Sequence, residues 1–207
     1  MPQHKDLKRL VRARMAETSE NYTQALTALL GETSLDPLPG GWFMAGSRPA
    51  DYDAGLLPRD CAYDGRRVIR LRCRADVPPA GFGTVMQSIN AARYRGCRVR
   101  FTAMLRGQEI ADWAGAWLRL DAPNGTRALD NMQDRPLHGS AGWTEAATVL
   151  DVDDDVLSVH FGVLLAGAGA VDLAGLRFEV VGADVPVTAV PGRPLAQEPQ
   201  GLDFGAA

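Results

Sequence analysis

The chain has 207 residues, which is enough for one well-packed domain with short appendages but not for two full domains. Apolar residues make up 46% of it and charged residues 23%, the composition of an ordinary globular protein, which excludes a low-complexity or highly charged disordered chain. The net charge of −3 is too small to indicate a nucleic-acid or membrane-surface partner.

The N-terminus and the cysteines indicate the cellular compartment. Met1–Lys5 leads into a charged segment and not an apolar one, so we predict no signal peptide, and no apolar run approaches the ~20 residues that span a bilayer. The three cysteines, Cys61, Cys73 and Cys97, form no CxxC pair and are odd in number, which argues against a disulfide framework or a zinc site. We expect a cytoplasmic protein without membrane contact, bound metal or cofactor.

The N-terminal segment, residues 1–30, is predicted to be a short helical hairpin. Apolar residues recur at helical spacing between Leu7 and Met15, and a second stripe runs from Tyr22 to Leu30. A basic helix followed by a second helix leaves open a DNA-associated or oligomerising role. The unit lacks the third helix that a DNA-reading module normally needs, so we favour a hairpin that packs on the domain or on a second copy in a homodimer, and we expect no nucleic-acid partner.

The central region, residues 42–182, is predicted to be an antiparallel β-sandwich. It follows a linker, residues 31–41, with two prolines and three glycines, and it precedes an irregular proline-containing tail, residues 183–207. Short alternating segments separated by Gly, Pro, Asn and Asp, without an intervening helical pattern, indicate a mainly β sandwich or barrel. The predicted strands are 42–46, 52–57, 67–74, 82–90, 97–106, 113–121, 126–132, 144–151, 156–165 and 170–181.

Several stretches of the chain resemble known proteins. The segment from Trp143 to Val181 has a strand entered at a tryptophan, a second apolar strand, a small-residue turn at Gly167–Gly169 and a final strand that ends beside Glu179. It resembles the last strands of carbohydrate-binding modules with the galactose-binding fold, which implies a jelly-roll sandwich. The stretch GFGTVMQSINAARYRGCRVRFTAMLRG, with WAGAWLRLDAPNG and LDNMQDRP, resembles a bacterial family whose members occur alone or joined to helix-turn-helix transcriptional regulators. The opening, KDLKRLVRARMAETSENYTQALTALL, resembles a leader of several otherwise unrelated actinobacterial proteins.

The strand 113–121 carries the predicted ligand-binding face. Its even-numbered residues are small or apolar and suit the core, so Trp113, Trp117 and Arg119 share the outward face. Two outward tryptophans are costly to leave in water, and with an arginine nearby they suit a sugar ring or another small molecule. The predicted ligand-binding set is Trp113, Trp117, Arg119, Asn131, Gln133 and Gln87. In the alternative interpretation, the N-terminal helices, the tail or a second subunit covers the two tryptophans.

The sequence thus predicts a sandwich that binds a small or sugar-like molecule, with a sensory or regulatory role. The enzymatic alternative, a cyclase, isomerase or lyase, would use His160, Asp121 or Asp130 as acid or base. The sequence contains no Walker loop, GxSxG elbow or dinucleotide fingerprint. Alternating arginines in 67–74 and 97–106 are interpreted as solvated sheet faces in preference to the alternative, an anion site.

A bound calcium ion is not expected. Asp151–Asp155 begins like a calcium-binding loop, but Val156 and Gly162 stand where the loop needs its glycine and its closing glutamate. The last strand, which contains Asp172, is also less acidic than the segment that is often tied to structural calcium in the modules it resembles.

Overall fold

The computed structural model describes residues 4–18, 20–22, 25, 35–74 and 80–189. Within them the chain forms one α-helix and nine β-strands, all of whose pairings are antiparallel. The helix is α1 (His4–Thr18), and the strands are β1 (Phe43–Gly46), β2 (Tyr52–Leu56), β3 (Ile69–Cys73), β4 (Phe82–Asn90), β5 (Arg98–Ala122), β6 (Gly125–Asp130), β7 (Leu137–Asp151), β8 (Ser158–Ala166) and β9 (Ala170–Val181).

The long strand β5 joins the two layers of a β-sandwich. From Arg98 to Gln108 it pairs with β7 and β9, and this first sheet continues through β3 to the edge strand β2. From Trp113 to Ala122 it pairs with β8 and β6, and this second sheet continues through β4 to the edge strand β1. The mainly β antiparallel sandwich predicted from the sequence is confirmed.

A bend between Gly107 and Trp113 carries β5 from one sheet to the other. Its register with β7 shifts repeatedly there, as at a series of β-bulges. Glu109 takes a left-handed conformation with φ of 49°. Gly169 (φ 107°) packs against it, because a Cβ at this position would lie 2.5 Å from the carbonyl oxygen of Glu109. The turn between β8 and β9 therefore requires glycine where it touches the bend.

The inward faces of the two sheets form one hydrophobic core. The alternating small and apolar residues of β5 that face the core are all buried: Val99, Phe101, Ala103, Leu105, Ala114, Ala116, Leu118 and Leu120. Phe161 of β8 bridges the sheets, with its ring centroid 4.7 Å from that of Phe178 in β9 and 5.1 Å from that of Phe101. Alternation of side chains across each strand explains this inward set.

Three predicted strand assignments were wrong. The segments 97–106 and 113–121 are one strand, because the bend occurs without interrupting β5. Strand β7 begins at Leu137 and not at 144. Strand β8 begins at Ser158 and not at 156, and Leu157, which precedes it, is 49% exposed. Hydrophobic alternation alone does not locate a bend or a strand end.

The N-terminal region is described only in part. Helix α1 is present, and its Val11 is fully buried. The Nε of Arg14 lies 2.7 Å from Oε2 of Glu20. The predicted second helix, from Tyr22 to Leu30, falls mostly outside the described residues. No helix in the described part of the chain is long and apolar enough to cross a membrane. The tail is irregular as far as it is described, and the N–H of Thr188 donates to the carbonyl of Val149.

Candidate functional site

An open cleft of about 910 Å³ lies on the outward face of the first sheet. Its floor includes Arg70 of β3, Ala170 of β9 and Arg106 of β5. Cys61, in the connection between β2 and β3, and Trp143 of β7 contribute to its walls. Its volume falls in the range of ordinary small-molecule pockets.

Arg14 and Glu20 at the end of the N-terminal helical region also line this cleft. The Nε of Arg14 donates to Oε2 of Glu20 at 2.7 Å. The guanidinium of Arg14 holds the pKa of the Glu20 carboxyl below its usual value. The N-terminal region therefore contributes a fixed ion pair to the cleft, and the pair adds no net charge to it.

Asp172 is the centre of the polar network in the cleft. Its neighbours in β9, Val171 and Leu173, point into the core, so Asp172 projects outward, yet it is fully buried. Arg70 donates to it through Nε at 2.7 Å and Nη2 at 3.0 Å. Arg106 donates through Nε at 3.0 Å and Nη2 at 2.7 Å. A buried carboxylate with this many donors is fully compensated and holds both guanidinium groups in place.

The strand order explains this convergence. Strand β9 lies between β3 and β5, and the register places Asp172 directly opposite Arg70 on one side and Arg106 on the other. Gln108, two residues further along the same face of β5, adds a hydrogen bond from Nε2 at 3.1 Å. Cross-strand neighbours on one face are the closest contacts that a sheet provides, so this network follows from the pairing.

Trp143 forms an aromatic wall of the cleft, and its ring packs against that of Tyr63, which does not itself line the cleft. The rings of Tyr63 and Trp143 have centroids 4.4 Å apart and are tilted by 39°. The Cζ of Arg106 lies 4.9 Å from the centroid of the Trp143 ring, which is a cation–π contact. Both rings pack on a small apolar cluster of Leu57 and Val68 with Ala174 beneath them. The aromatic wall and the arginine floor are thus parts of one packed unit.

Two thiols also line the cleft, those of Cys61 and Cys73. Burial raises the pKa of the Cys61 thiol, and the neighbouring Asp60 carboxylate raises it further, whereas Arg70 and Arg106 oppose this effect. Because the thiolate is the reactive form, the neutral Cys61 does not have the properties of a nucleophilic cysteine.

The two tryptophans predicted to bind a ligand lie on the outward face of the second sheet, away from this cleft. Trp117 is only 7% exposed, because it packs against Met86 and Leu164 on the same face. Its Nε1 donates to Oγ1 of Thr84 at 2.8 Å. Trp113 packs on this cluster and is partly buried. Trp117 therefore has a structural role on this face.

The other predicted ligand-binding residues do not all converge on Trp113. Asn131 does come near it, since the Asn131 backbone and Trp113 both pack against Gly115. The Oδ1 of Asn131 accepts a hydrogen bond from the N–H of Gln133, and Gln133 is exposed. Gln87 pairs with Phe161 in register and takes the face of β4 opposite to that of Trp117. The fold thus separates Gln87 from the rest of the set.

Arg119 and the candidate acid–base residues form a second polar group on the outward face of the second sheet. His160 Nε2 lies 3.2 Å from Asp121 Oδ2, to which Arg119 donates at 2.9 Å. Ser88 Oγ lies 2.8 Å from His160 Nδ1. Burial lowers the pKa of His160, the Arg119 charge lowers it further, and Asp121 opposes both. Asp130 is not part of this group.

Asp130 is buried at the edge of the sandwich, where it anchors the loop after β6. It accepts from Nη2 of Arg135 at 2.6 Å and from the N–H of Met132 at 2.9 Å, and the hydroxyl of Thr188 also donates to it. All of these contacts tie chain segments together. The structure thus brings two of the three acid–base candidates, Asp121 and His160, into contact and places the third elsewhere.

Sequence reasoning missed Asp172, Arg70, Arg106 and Trp143 as a site. The alternating arginines of β3 and β5 were interpreted as solvated, but Arg70 and Arg106 are held by one buried carboxylate. The sequence signal for this site was Asp172, a single acidic residue between the apolar residues Val171 and Leu173 in β9. A buried charge requires partners, so Asp172 indicated that basic side chains lie near it. Identifying those partners required the strand order.

One curated relative is similar over most of the chain. An uncharacterized HTH-type transcriptional regulator, YbfP of Bacillus subtilis (strain 168), is 31% identical over 186 residues, which cover 88% of this chain and 62% of that protein. The chain thus spans less than two thirds of the length of this relative. No protein-family model matches the chain.

Several solved structures are similar to this chain at low sequence identity. The C-terminal family 22 carbohydrate-binding module of Clostridium thermocellum Xyn10B is 14% identical, with a TM-score of 0.48, over 71% of this chain and 89% of that one. A xylan-binding domain from Paenibacillus barcinonensis Xyn10C is 12% identical, with a TM-score of 0.48, over 72% and 90%. A cyclase from Fischerella sp. TAU is 14% identical, with a TM-score of 0.49, over 70% and 86%. Likenesses at this level do not identify a ligand for this chain.

Proposed function

We propose that the chain is a binding module whose cleft on the first sheet takes a hydroxyl-rich, sugar-like small molecule. The observation that carries the proposal is the pair of guanidinium groups, Arg70 and Arg106, fixed by buried Asp172 beside an aromatic wall in an open cleft. Replacing a buried ion pair with apolar residues is often neutral or stabilising, so folding alone does not require these charges.

The cleft offers both hydrogen-bond donors and acceptors. In the described contacts Asp172 uses Nε and Nη2 of each arginine, which leaves both Nη1 groups as donors. Asp60, Glu109 and Ser140 line the same cleft and supply acceptor oxygens. A sugar presents hydroxyls that both donate and accept, together with an apolar ring face that suits an aromatic side chain.

The test is direct binding of neutral and charged mono- and oligosaccharides to the full chain, measured by calorimetry. Ala170→Phe would fill the cleft without removing any of its polar side chains, and we expect it to reduce affinity at least about tenfold. The matched control is Ala92→Phe, which adds the same ring at an exposed position outside the cleft. Equal binding by wild type and Ala170→Phe would exclude the cleft.

A regulatory role is the finer part of the proposal. Similarity to a protein named as a transcriptional regulator favours a cytoplasmic sensor that reports ligand binding to DNA-binding machinery. The resemblance to a family that is joined to such regulators agrees with this interpretation. Replacing the gene with the Ala170→Phe version should abolish the ligand-dependent change in transcript levels that the wild type produces. An identical response in both strains would contradict the sensory role.

The predicted face around Trp113, with Arg119, Asn131 and Gln133, stays a second candidate site. Trp113 is partly buried but is the more accessible of the two tryptophans on that face. Loss of ligand binding in Trp113→Ala, with binding retained in Ala170→Phe, would move the site to the second sheet. An enzymatic role for His160 and Asp121 would instead show as substrate turnover with a pH–rate profile that changes in His160→Gln.

A further inference from the structure

We infer that the ligand of the cleft carries an oxyanion, a carboxylate or a phosphate group, which binds to Arg70 and Arg106. The inference rests on the proposed function of the cleft and names the class of molecule that it takes. Its starting point is a charge imbalance in the floor, where two guanidinium groups share one carboxylate.

Among the described residues, no second acid forms an ion pair with Arg70 or Arg106. Every ion pair that Arg70 and Arg106 make within the described part of the chain goes to Asp172. Arg72, also in the cleft, is paired with Asp53 at 2.9 Å and adds no net charge. The Cys61 thiol is held neutral by its raised pKa and does not compensate the arginines. One positive charge is therefore left over at the floor.

Burial makes this surplus charge significant. The Arg70 side chain is 12% exposed and Asp172 is fully buried, so the group has little access to water. A charge in such a place is stabilised when a second charge of opposite sign binds to it. Arg106 is more exposed and faces Trp143, which places the open side of the group next to the aromatic wall.

The geometry also prepares the arginines for an anion. Asp172 accepts from the Nε and Nη2 groups of both arginines, so it fixes both guanidinium planes before a ligand arrives. Little side-chain entropy remains to be lost on binding, and the free Nη1 groups can donate charge-assisted hydrogen bonds. A ring stacked near Trp143 with an acidic substituent would reach these donors, as in a uronic acid or a sugar phosphate.

The rim of the cleft limits how acidic the ligand can be. Asp60 and Glu109 line it and form no ion pair with Arg70 or Arg106 in the described structure. These carboxylates suit hydroxyl donors and repel additional negative charge. The expected ligand therefore has one oxyanion at the floor and uncharged hydroxyls toward the rim.

The test compares glucose, glucuronate and glucose 6-phosphate as calorimetric probes of the full chain. Hydrogen bonds to a charged group are worth about 1.5–3 kcal/mol, so one of the two acids should bind ~10- to 100-fold more tightly than glucose. Which acid binds distinguishes a carboxylate from a phosphate ligand. Raising the salt concentration from about 0.05 to about 0.5 M should weaken only the binding of the acid.

Arg106→Gln should remove the preference for the acid, so that glucose, glucuronate and glucose 6-phosphate bind this variant with affinities within about threefold of one another. Asp172 keeps Arg70 as its partner in this variant, so the protein should fold, which its thermal midpoint checks. Arg177→Gln is the matched control, because it removes the same charge from an exposed position outside the cleft and should keep the preference.

The outcomes separate the inference from the proposed function. Equal affinity for glucose and both acids, or equal loss of all three in Arg106→Gln, overturns the oxyanion site and leaves a sugar-binding cleft. Binding of none of these probes or of the neutral oligosaccharides overturns the proposed function and the inference together. A preference for an acid that disappears in Arg106→Gln but not in Arg177→Gln supports the inference.

Discussion

At the scale of single residues, two tryptophans on outward sheet faces have different surroundings. Trp117 is closed in by Met86 and Leu164, and its ring nitrogen donates to Thr84. Trp143 packs on Tyr63 and contacts Arg106 beside an open cleft. Alternation assigns both to outward faces, but only the neighbours across the strands decide whether a ring is covered.

Trp117→Ala should lower the free energy of unfolding by about 3–5 kcal/mol, because it deletes a nearly buried ring and leaves Thr84 without its donor. Urea unfolding measures the change. Leu129→Ala, at a 47% exposed position of the same sheet, is the control and should change the free energy by about 0.5 kcal/mol or less. A small effect of Trp117→Ala would indicate that the ring is free to bind a ligand.

His160 should make stability depend on pH. Burial and the Arg119 charge lower its pKa from the ordinary 6.5, and Asp121 only partly offsets them. The unfolded chain therefore takes up this proton more readily than the folded one. The contribution of His160 to the free energy of unfolding is complete above about pH 6.5 and is lost as the pH falls toward the folded pKa.

The measurement is a set of urea unfolding curves between about pH 5 and about pH 8, with an NMR titration of the imidazole. His160→Gln should flatten the pH dependence of the free energy of unfolding below about pH 6.5, because it removes a group that titrates there. Asp151 and Glu20, whose pKa values are also lowered, titrate below it. An imidazole pKa above 6.5 would contradict the prediction.

At the scale of elements, the sequence was sufficient for the sandwich but not for the cleft. The apolar residues that alternate along β5 and β8 face the core, as alternation predicts, and they are buried. No residue pattern around the bend in β5 distinguishes one bent strand from two separate strands. Arg70 and Asp172 are 102 positions apart in the sequence, so their contact depends on which strands are neighbours. Local pattern does not contain that information.

The junction between β2 and β4 depends on the absence of a side chain at Gly83. A Cβ there would lie 2.4 Å from Cγ of Tyr52. The Tyr52 Oη lies 3.0 Å from the carbonyl oxygens of both Gly81 and Gly167, which share its one proton, and these contacts hold the ring against Gly83. Gly83→Ala should therefore lower the free energy of unfolding by about 1–3 kcal/mol. Gly142→Ala, where nothing lies within 4 Å, is the control for thermal unfolding and should be close to neutral.

At the scale of the whole molecule, the sandwich and the N-terminal region have separable roles. The main core cluster of the described residues draws its members from Leu38 onward. The N-terminal region instead reaches the cleft, which Arg14 and Glu20 help to line. The fold should thus survive removal of this region, whereas the cleft should lose part of its boundary.

Deletion of residues 1–30 tests this division. The truncated chain should unfold cooperatively with a thermal midpoint near that of the wild type, because the main core cluster is intact. Its affinity for whichever sugar binds the full chain should fall several-fold, since the Arg14–Glu20 pair no longer closes the cleft. Light scattering should show a mass reduced only by the deleted residues. A halved mass would mean that the region joins two copies, and unchanged affinity would mean that the ligand does not reach Arg14.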